Sequence, residues 1–316
     1  MAKDGKSAWR VRWTDAARPL ILAVAVSLLS VGCSGDVRGV GQQDAAMGRD
    51  RSQPRDGNSA LDSASQGDGS TIWDAAPTLD ARGDVDGTLP LDASPGQVNP
   101  PLGGASGGSG GATAPNGIQA SGDGVSFVLI VPSSYSVSTP NRFMVVYSGT
   151  ERAGTMAQNL VNVRSYVGLD DVIFAVLDGV DYNGDGQAGA TVMDWVRAHY
   201  NIDNDRTYLF SESAGTTAGL QLGLQLRQSY FAAYWANDVN ASATPVRSAG
   251  DLGFAPWGNA GPGGDYADAN AIVDGMRNAG YRLPSDAPYS GSGSNQHGST
   301  DQFVNALRFF EGKSRN

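Results

Sequence analysis

The chain has 316 residues, enough for one large or two ordinary domains, and it contains 43 glycines and one cysteine. Its formal net charge at pH 7 is −10. Because a protein that binds nucleic acid needs a basic face and none is visible here, the composition argues against that class of function, and we expect no nucleic-acid partner.

Residues 1–32 have the layout of a lipoprotein signal peptide. Basic residues precede an apolar run over residues 20–29, which is too short to span a bilayer as a permanent helix. Small residues then lead directly into Cys33, an arrangement that resembles a bacterial lipobox. The resemblance implies cleavage before Cys33 and membrane attachment through a lipid on its thiol. Ser34 in place of Asp favours the outer membrane; an ordinary signal peptide with a chance cysteine is the alternative.

Residues 33–116 are expected to be a disordered tether. From residue 34 they contain eleven Asp and five Arg but no Lys or Glu, and such a composition cannot bury enough apolar surface to fold. Asp recurs at every sixth position from Asp44 to Asp92, and one apolar residue per repeat is too few for a solenoid core. We therefore expect a spacer; an array that binds cations or a partner is the alternative.

Residues 117–316 show alternating strand and helix patterns. Strands are predicted over residues 125–132, 143–147, 172–177, 207–210, 231–235 and 252–257. Helices are predicted over residues 155–163, 190–200, 216–228, 266–279 and 301–310. This alternation predicts an α/β domain with a mostly parallel sheet covered on both faces. In such sheets the ligand site lies at the carboxyl ends of the strands.

A candidate nucleophile, Ser213, lies between a predicted strand and a predicted helix. It stands in the sequence Ser-Glu-Ser-Ala-Gly, where the usual nucleophile elbow reads Gly-x-Ser-x-Gly because the tight, strained turn needs small neighbours. Ser211 replaces the first glycine, and Gly215 keeps the second. A serine that only caps the helix is the alternative.

Further motifs surround this serine: Tyr-Asn-Ile-Asp at 200–203, Arg-Thr-Tyr at 206–208, Phe-Ala-Ala at 231–233, and the opening stretches 131–135 and 145–150. Together they resemble the polyhydroxybutyrate depolymerase and feruloyl esterase group of α/β-hydrolases, from about residue 125 to the C-terminus. The resemblance implies an α/β-hydrolase fold and a Ser–His–Asp triad that hydrolyses esters through an acyl-enzyme. The expected substrate is a short-acyl, polyhydroxyalkanoate or aromatic ester; we expect no cofactor and a monomer.

A serine nucleophile needs a general base, because its hydroxyl is a poor nucleophile at neutral pH. The chain has two histidines. His199 lies late in a predicted helix, where we expect a structural or surface residue. His297 follows a Gly/Ser-rich loop and precedes the last helix, which is where the resemblance puts the catalytic histidine.

Backbone N–H groups are expected to form the oxyanion hole, since such donors stabilise the developing negative charge. One should come from Ala214, directly after the nucleophile. The second should come from Thr150 or Gly149, in the loop after the strand at 143–147.

The acid of the triad is missing from its expected place. The resemblance puts an Asp three residues after Gly258, where this chain has Gly261. Asp265 is the next carboxylate along the chain, and we take it as the acid. Three other aspartates are possible substitutes: Asp238, Asp251 and Asp268.

A calcium loop is a weak further candidate. Asp181, Asn183 and Asp185 place oxygen atoms at alternating positions, followed by glycine, as at the start of such a loop. Val192 stands where a bidentate Glu is expected, and Asp/Asn-Gly clusters are ordinary turn chemistry. We therefore expect no metal site.

The departures at Ser148, Ser211 and Gly261 leave a second function open. A hydrolase fold that has lost its catalytic residues could act as a binding module at the cell surface. An activated serine separates the two hypotheses, because only an enzyme would carry one.

Overall fold

The computed structural model describes residues 103–108, 117–120 and 124–316. The predicted signal peptide, Cys33 and the Asp repeat lie outside these residues. The strands are β1 (Gly117–Ala120), β2 (Ser126–Ile130), β3 (Asn141–Tyr147), β4 (Ile173–Leu177), β5 (Ile202–Glu212), β6 (Ala233–Asn237) and β7 (Trp257–Ala260). The helices are α1 (Arg152–Val163), α2 (Gly186–His199), α3 (Thr216–Gln221), α4 (Ala249–Leu252), α5 (Tyr266–Asn278) and α6 (Thr300–Arg308).

The strands form one mixed sheet in the order β1-β2-β4-β3-β5-β6-β7. The pairs β1–β2 and β2–β4 are antiparallel, while β4, β3, β5, β6 and β7 run parallel to one another. The predicted α/β-hydrolase fold, with a mostly parallel sheet, is confirmed by this arrangement. The chain passes from β3 to β4 on one side and then returns to β5 on the other, so the strand order reverses at β3. Ligand sites of open α/β sheets lie at such a reversal, at the carboxyl ends of the strands.

Helices cover both faces of the sheet, as the alternation of buried side chains along β3 shows. Phe143, Val145 and Tyr147 point to one face and belong to the same apolar cluster as α2. Met144 and Val146 point to the other face and pack with α1 and α6. Since side chains alternate along a strand, a strand buried on both faces reads as one continuous apolar run. No helix in the described ranges is both long and apolar enough to cross a membrane.

The strand predicted over residues 252–257 is wrong: helix α4 ends at Leu252, and β7 begins only at Trp257. Local polar signals decide this segment. The Ser248 hydroxyl accepts a hydrogen bond from the Asp251 N–H (3.2 Å), and the Asp251 carboxylate accepts one from the Ser248 N–H (3.0 Å). This capping box starts a helix, and Gly253, with a φ of +76°, ends it.

Six residues of the predicted tether, 103–108, lie against the domain. The Ser106 N–H donates to the Ile202 carbonyl (2.8 Å), and the Asn204 N–H donates to the Gly104 carbonyl (2.8 Å). The Ser106 hydroxyl accepts from the Ile202 N–H (2.9 Å) and donates to the Tyr200 carbonyl (2.9 Å), directly after α2. The contacts of the domain therefore begin before the predicted boundary at residue 117, at the amino end of β5.

We expect Ser106→Ala to lower the free energy of unfolding by about 1 kcal/mol, because it leaves the Ile202 N–H and the Tyr200 carbonyl without this partner. The melting temperature should fall by roughly 2–4 °C, measured by circular dichroism. The exposed Ser285→Ala is a matched control and should melt like the unmodified protein. Identical melting of all three proteins would show that the Ser106 hydroxyl does not stabilise the domain.

Candidate active site

Ser213 lies on a strained turn between β5 and α3. The strand ends at Glu212, a short 3-10 turn spans Ser213–Gly215, and α3 begins at Thr216. Ser213 has a φ of +46°, a backbone region that non-glycine residues rarely adopt. A Cβ on Gly215 would lie 2.6 Å from the Ser148 carbonyl oxygen, so only glycine lets α3 approach the end of β3 this closely. The turn leaves the Ser213 side chain half-buried at the carboxyl edge of the sheet.

The serine that replaces the first glycine of the elbow is accommodated by a glycine in α3. Ser211 is buried, and its hydroxyl is 3.1 Å from the hydroxyl of Tyr234. A Cβ on Gly219 would lie 2.4 Å from the Ser211 Cβ. The space that Ser211 occupies is therefore provided by the missing side chain at Gly219.

The structure brings Ser213 and His297 together, although 84 residues separate them. The Ser213 Oγ is 2.9 Å from the His297 Nε2, which is hydrogen-bond distance. His297 lies in the loop before α6, and 59% of its side chain is exposed. The other histidine, His199, stacks on the Trp195 ring at the end of α2, with ring centroids 4.0 Å apart.

The carboxylate beside His297 is that of Asp238, directly after β6. Its Oδ2 is 4.0 Å from the His297 Nε2, close enough for a charge interaction but beyond hydrogen-bond distance. The Asp238 side chain is 1% exposed, and its φ is +47°. The Oδ2 accepts the Gly298 N–H (2.5 Å), and the Oδ1 accepts the Gln302 Nε2 (2.6 Å). Asp238 thus holds the loop that carries His297 through the backbone of the next residue.

The expected acid, Asp265, is exposed and caps α5, whereas the carboxylate recorded beside His297 is that of Asp238. The Asp265 carboxylate accepts the Asp268 N–H (3.1 Å) in the first turn of the helix. The helix begins directly after Asp265, so its unpaired N–H groups take up the carboxylate. Asp251, one of the substitutes, caps α4 in the same way. Asp238 follows β6 directly, whereas the resemblance places the acid after the next strand, beyond Gly258.

The loop after β3 lies against Ser213, as the oxyanion prediction requires. A Cβ on Gly149 would be 3.2 Å from the Ser213 Cβ. The Gly149 N–H, however, donates to the Glu151 Oε1 (2.8 Å), so a side chain of the protein already occupies this donor. Burial raises the pKa of the Glu151 carboxyl. Of the other two predicted donors, Thr150 is exposed and the Ala214 residue is half-buried.

A second buried carboxyl, Glu212, lies directly before Ser213. Its Oε2 accepts the Asn237 Nδ2 (2.9 Å), and the Asn237 Oδ1 accepts the Trp235 Nε1 (2.9 Å). Burial raises the pKa of Glu212 well above its usual range, and the neighbouring Asp238 carboxylate raises it further. Sequence reasoning gave Glu212 no role, because nothing in the motif indicated that this side chain points into the protein.

The residues of the calcium candidate have other partners. Asp181 forms an ion pair with Arg152, and the Asp185 carboxylate accepts the Ala188 N–H (2.9 Å) as the cap of α2. Asn183 is exposed. Within residues 103–108, 117–120 and 124–316, no three His, Cys, Asp or Glu side chains are grouped so that they could hold a metal ion.

Comparison with known proteins gives structural neighbours only. No protein-family model matches the chain, and no curated protein sequence matches it. A thermostable esterase aligns at 16% identity and a TM-score of 0.45, over 63% of this chain and 62% of its own, which is less than two thirds of its length. The poly(3-hydroxybutyrate) depolymerase LpqC from Bordetella parapertussis aligns at 17% identity and a TM-score of 0.42, over 61% of this chain and 88% of its own.

A dienelactone hydrolase-like promiscuous phosphotriesterase from metagenomic libraries aligns at 12% identity and a TM-score of 0.42, over 62% of this chain and 97% of its own. These neighbours are proteins of the α/β-hydrolase group. All three TM-scores are below 0.5, and no property of these proteins is transferred to this chain.

We expect Gly219→Ala to destabilise the domain by about 1–3 kcal/mol, because the new methyl group meets Ser211. Adding Ser211→Gly removes the clash, so the double variant should recover most of the stability, measured by urea denaturation as a double-mutant cycle. Gly154→Ala in α1 is the control, since a Cβ there meets nothing within 4 Å. Additive effects of the two substitutions would show that residues 211 and 219 do not share this space.

Proposed function

We propose that the domain is a serine esterase that hydrolyses carboxylic esters through an acyl-enzyme. The observation that carries this proposal is the 2.9 Å approach of the Ser213 Oγ to the His297 Nε2, on a strained turn at the carboxyl edge of the sheet. A nucleophile within hydrogen-bond reach of a base is the arrangement that covalent catalysis needs. The carboxyl edge is also where open α/β sheets bind their ligands.

The proposed reaction has two halves. The Ser213 Oγ attacks the ester carbonyl carbon while its proton passes to the His297 Nε2, and the tetrahedral intermediate then expels the alcohol, which takes the proton from His297. A water molecule next gives a proton to His297 and attacks the acyl carbon, and Ser213 leaves with that proton as the carboxylic acid is released. Each half begins and ends with a neutral histidine.

We assign the role of the acid to Asp238 rather than Asp265. A negative charge 4.0 Å from the His297 Nε2 stabilises the imidazolium that forms in each half-reaction. The hydrogen bond from the Gly298 N–H to the Asp238 carboxylate also fixes the loop, and so the position of the His297 ring. Asp265 performs neither task, since its carboxylate caps α5.

The Thr150 and Ala214 N–H groups are the proposed oxyanion donors. Gly149 is a poorer candidate, because its N–H donates to Glu151. Backbone donors aimed at the developing charge are worth several kcal/mol, of the order of 3 kcal/mol for a single donor. The substrate class follows from the resemblance of the sequence: a short-acyl, polyhydroxyalkanoate or aromatic ester. Lipid attachment at Cys33 and location at the outer membrane remain proposals that rest on the sequence alone.

Ser213→Ala should abolish the hydrolysis of p-nitrophenyl acetate and butyrate, with a loss of kcat of up to about 10⁶-fold, because the nucleophile is gone. Release of p-nitrophenol is the measurement, and labelling of Ser213 by a fluorophosphonate probe is an independent readout. Ser290→Ala, in the exposed part of the His297 loop, is the matched control and should keep activity and labelling. Equal rates for the unmodified protein and Ser213→Ala would instead favour the binding-module hypothesis.

Asp238→Asn should lower kcat by about 10²–10⁴-fold, because a neutral amide no longer stabilises the imidazolium. Asp265→Asn, which keeps a capping side chain on α5, should change kcat by less than about 3-fold. Both variants are compared at saturating p-nitrophenyl butyrate, after circular dichroism has shown that each is folded. A large loss in Asp265→Asn with little change in Asp238→Asn would reverse our assignment.

A further inference from the structure

Two carboxyl groups lie side by side behind the candidate nucleophile. Glu212 is the last residue of β5, and it pairs in the sheet with Asn237, so Asp238 follows its direct neighbour. Both residues are buried, and the Asp238 carboxylate lies close enough to raise the pKa of Glu212. Two ionised carboxylates cannot share such a place without a large cost in free energy, so the pair must hold a proton. The hydrogen-bond donors around each carboxyl indicate which of the two carries this proton.

The orientation of the Asn237 side chain shows which group Glu212 receives from outside the pair. The Trp235 indole N–H can only donate, and it lies 2.9 Å from the Asn237 side chain, so the Asn237 oxygen must face it. The Asn237 amide nitrogen is therefore turned toward the Glu212 Oε2, to which it donates at 2.9 Å. Within residues 103–108, 117–120 and 124–316, it is the one hydrogen-bond donor from outside the pair that approaches Glu212.

The orientation of the Gln302 side chain can be fixed in the same way, and it defines a donor to Asp238. The Gly263 N–H can only donate, and it lies 3.3 Å from the Gln302 Oε1, which must accept it. The Gln302 nitrogen is therefore turned toward the Asp238 Oδ1 at 2.6 Å. The Gly298 N–H donates to the Oδ2 at 2.5 Å, so both oxygens of Asp238 receive donors from outside the pair.

We propose that Glu212 is a positioning residue that keeps its proton and donates it to Asp238, so that the buried pair carries one negative charge, located on Asp238. The donors decide the assignment: a carboxylate with a donor on each oxygen is stabilised as the anion. A carboxyl with one outside donor keeps an oxygen for its own proton. The role in catalysis rests on the esterase function proposed above, whereas the location of the proton does not.

The charges around Glu212 agree with this assignment. Burial raises the pKa of Glu212, and the carboxylates of Asp238, after β6, and of Glu151, after β3, raise it further. The hydrogen bond from the Asn237 amide lowers it. His297 faces the pair from the loop before α6, beyond Asp238. A proton on Glu212 therefore removes a like charge from the acid of the triad and adds a donor that orients it.

The location of the proton can be observed directly, because the chain contains only three glutamates: Glu151, Glu212 and Glu311. Glutamate labelled with ¹³C at the side-chain carboxyl is incorporated into the full chain, and each resonance is assigned by a Glu→Gln variant. We expect the resonance lost in Glu212→Gln to show the chemical shift of a protonated carboxyl at pH 6. A carboxylate shift for this resonance at pH 6 would overturn the proposal, whatever the activity of the protein.

Stability gives a second readout that is independent of catalysis. A carboxyl whose pKa is raised by folding stabilises the fold below its usual pKa and loses this contribution as the pH rises toward the folded pKa. Between pH 5 and 7, the melting temperature of Glu212→Gln should therefore rise relative to that of the unmodified protein, by about 3 °C per pH unit. The exposed Glu311→Gln is the matched control and should gain nothing in that range. A constant difference for Glu212→Gln would contradict a protonated Glu212.

The positioning role is tested by the pH–rate profile. Glu212→Gln keeps a neutral donor for Asp238, so kcat should stay within about 3-fold and the acid limb of the profile should not move. Glu212→Leu removes the donor, and we expect kcat to fall at least 10-fold with little change in KM. An acid limb that moves to lower pH in Glu212→Gln would show that a negative charge had been removed, and equal kcat in Glu212→Leu would remove the positioning role. If Ser213→Ala is as active as the unmodified protein, the esterase proposal fails, and the two readouts above still decide the proton.

Discussion

Backbone strain at one edge of the sheet is the constraint on which the candidate site depends. In the described ranges, three residues other than glycine have a positive φ: Arg152 (+73°), Ser213 (+46°) and Asp238 (+47°). They follow β3, β5 and β6, which are neighbours in the sheet. Each such residue costs about 1–3 kcal/mol, and strain of this kind persists only where the surrounding packing fixes it.

The packing that fixes these turns is unusually close. Gly215 lies against the Ser148 carbonyl, and a Cβ on Gly179, after β4, would lie 1.8 Å from the same oxygen. The turn at Asp238 is held by its hydrogen bonds to Gly298 and Gln302. The loops after β3, β4 and β5 therefore support one another, and the contacts of Asp238 after β6 fix the loop that carries His297. A rigid set of turns of this kind is what a preorganised site requires.

Ser213 and His297 could be predicted from the sequence, because a local motif marks the first and its order along the chain marks the second. Residues whose place depends on tertiary contacts could not be predicted. Ser213 was identifiable because a small-residue turn between a strand and a helix is local. His297 was identifiable because a chain with two histidines leaves few choices. Asp265 took precedence over Asp238 because the resemblance places the acid after Gly258, in the strand that follows β6. The deciding partner of Asp238, Gln302, lies 64 residues away, and no local pattern shows that contact.

Glu212 illustrates the same limit inside a motif. The residue was visible between two serines, but its burial and its neighbours depend on the pairing of β5 with β6. The same holds for Glu151, whose carboxylate occupies the Gly149 N–H. The sequence pattern predicts one carboxyl group, the acid of a triad, whereas this edge of the sheet holds several carboxyl groups with different hydrogen-bond partners. Which task each one has depends on the donors around it, and donors come from distant parts of the chain.

The close fit of Ser211 against Gly219 has an evolutionary consequence. Because a Cβ at residue 219 would lie 2.4 Å from that of Ser211, a side chain at position 219 conflicts with the one at position 211. A side chain at position 219 is better tolerated once position 211 is glycine, so one order of these two substitutions is favoured. A search pattern that demands glycine at the first position of the elbow misses chains like this one. The longer pattern Ser-x-Ser-x-Gly-x-x-x-Gly would retrieve them and would carry its structural reason with it.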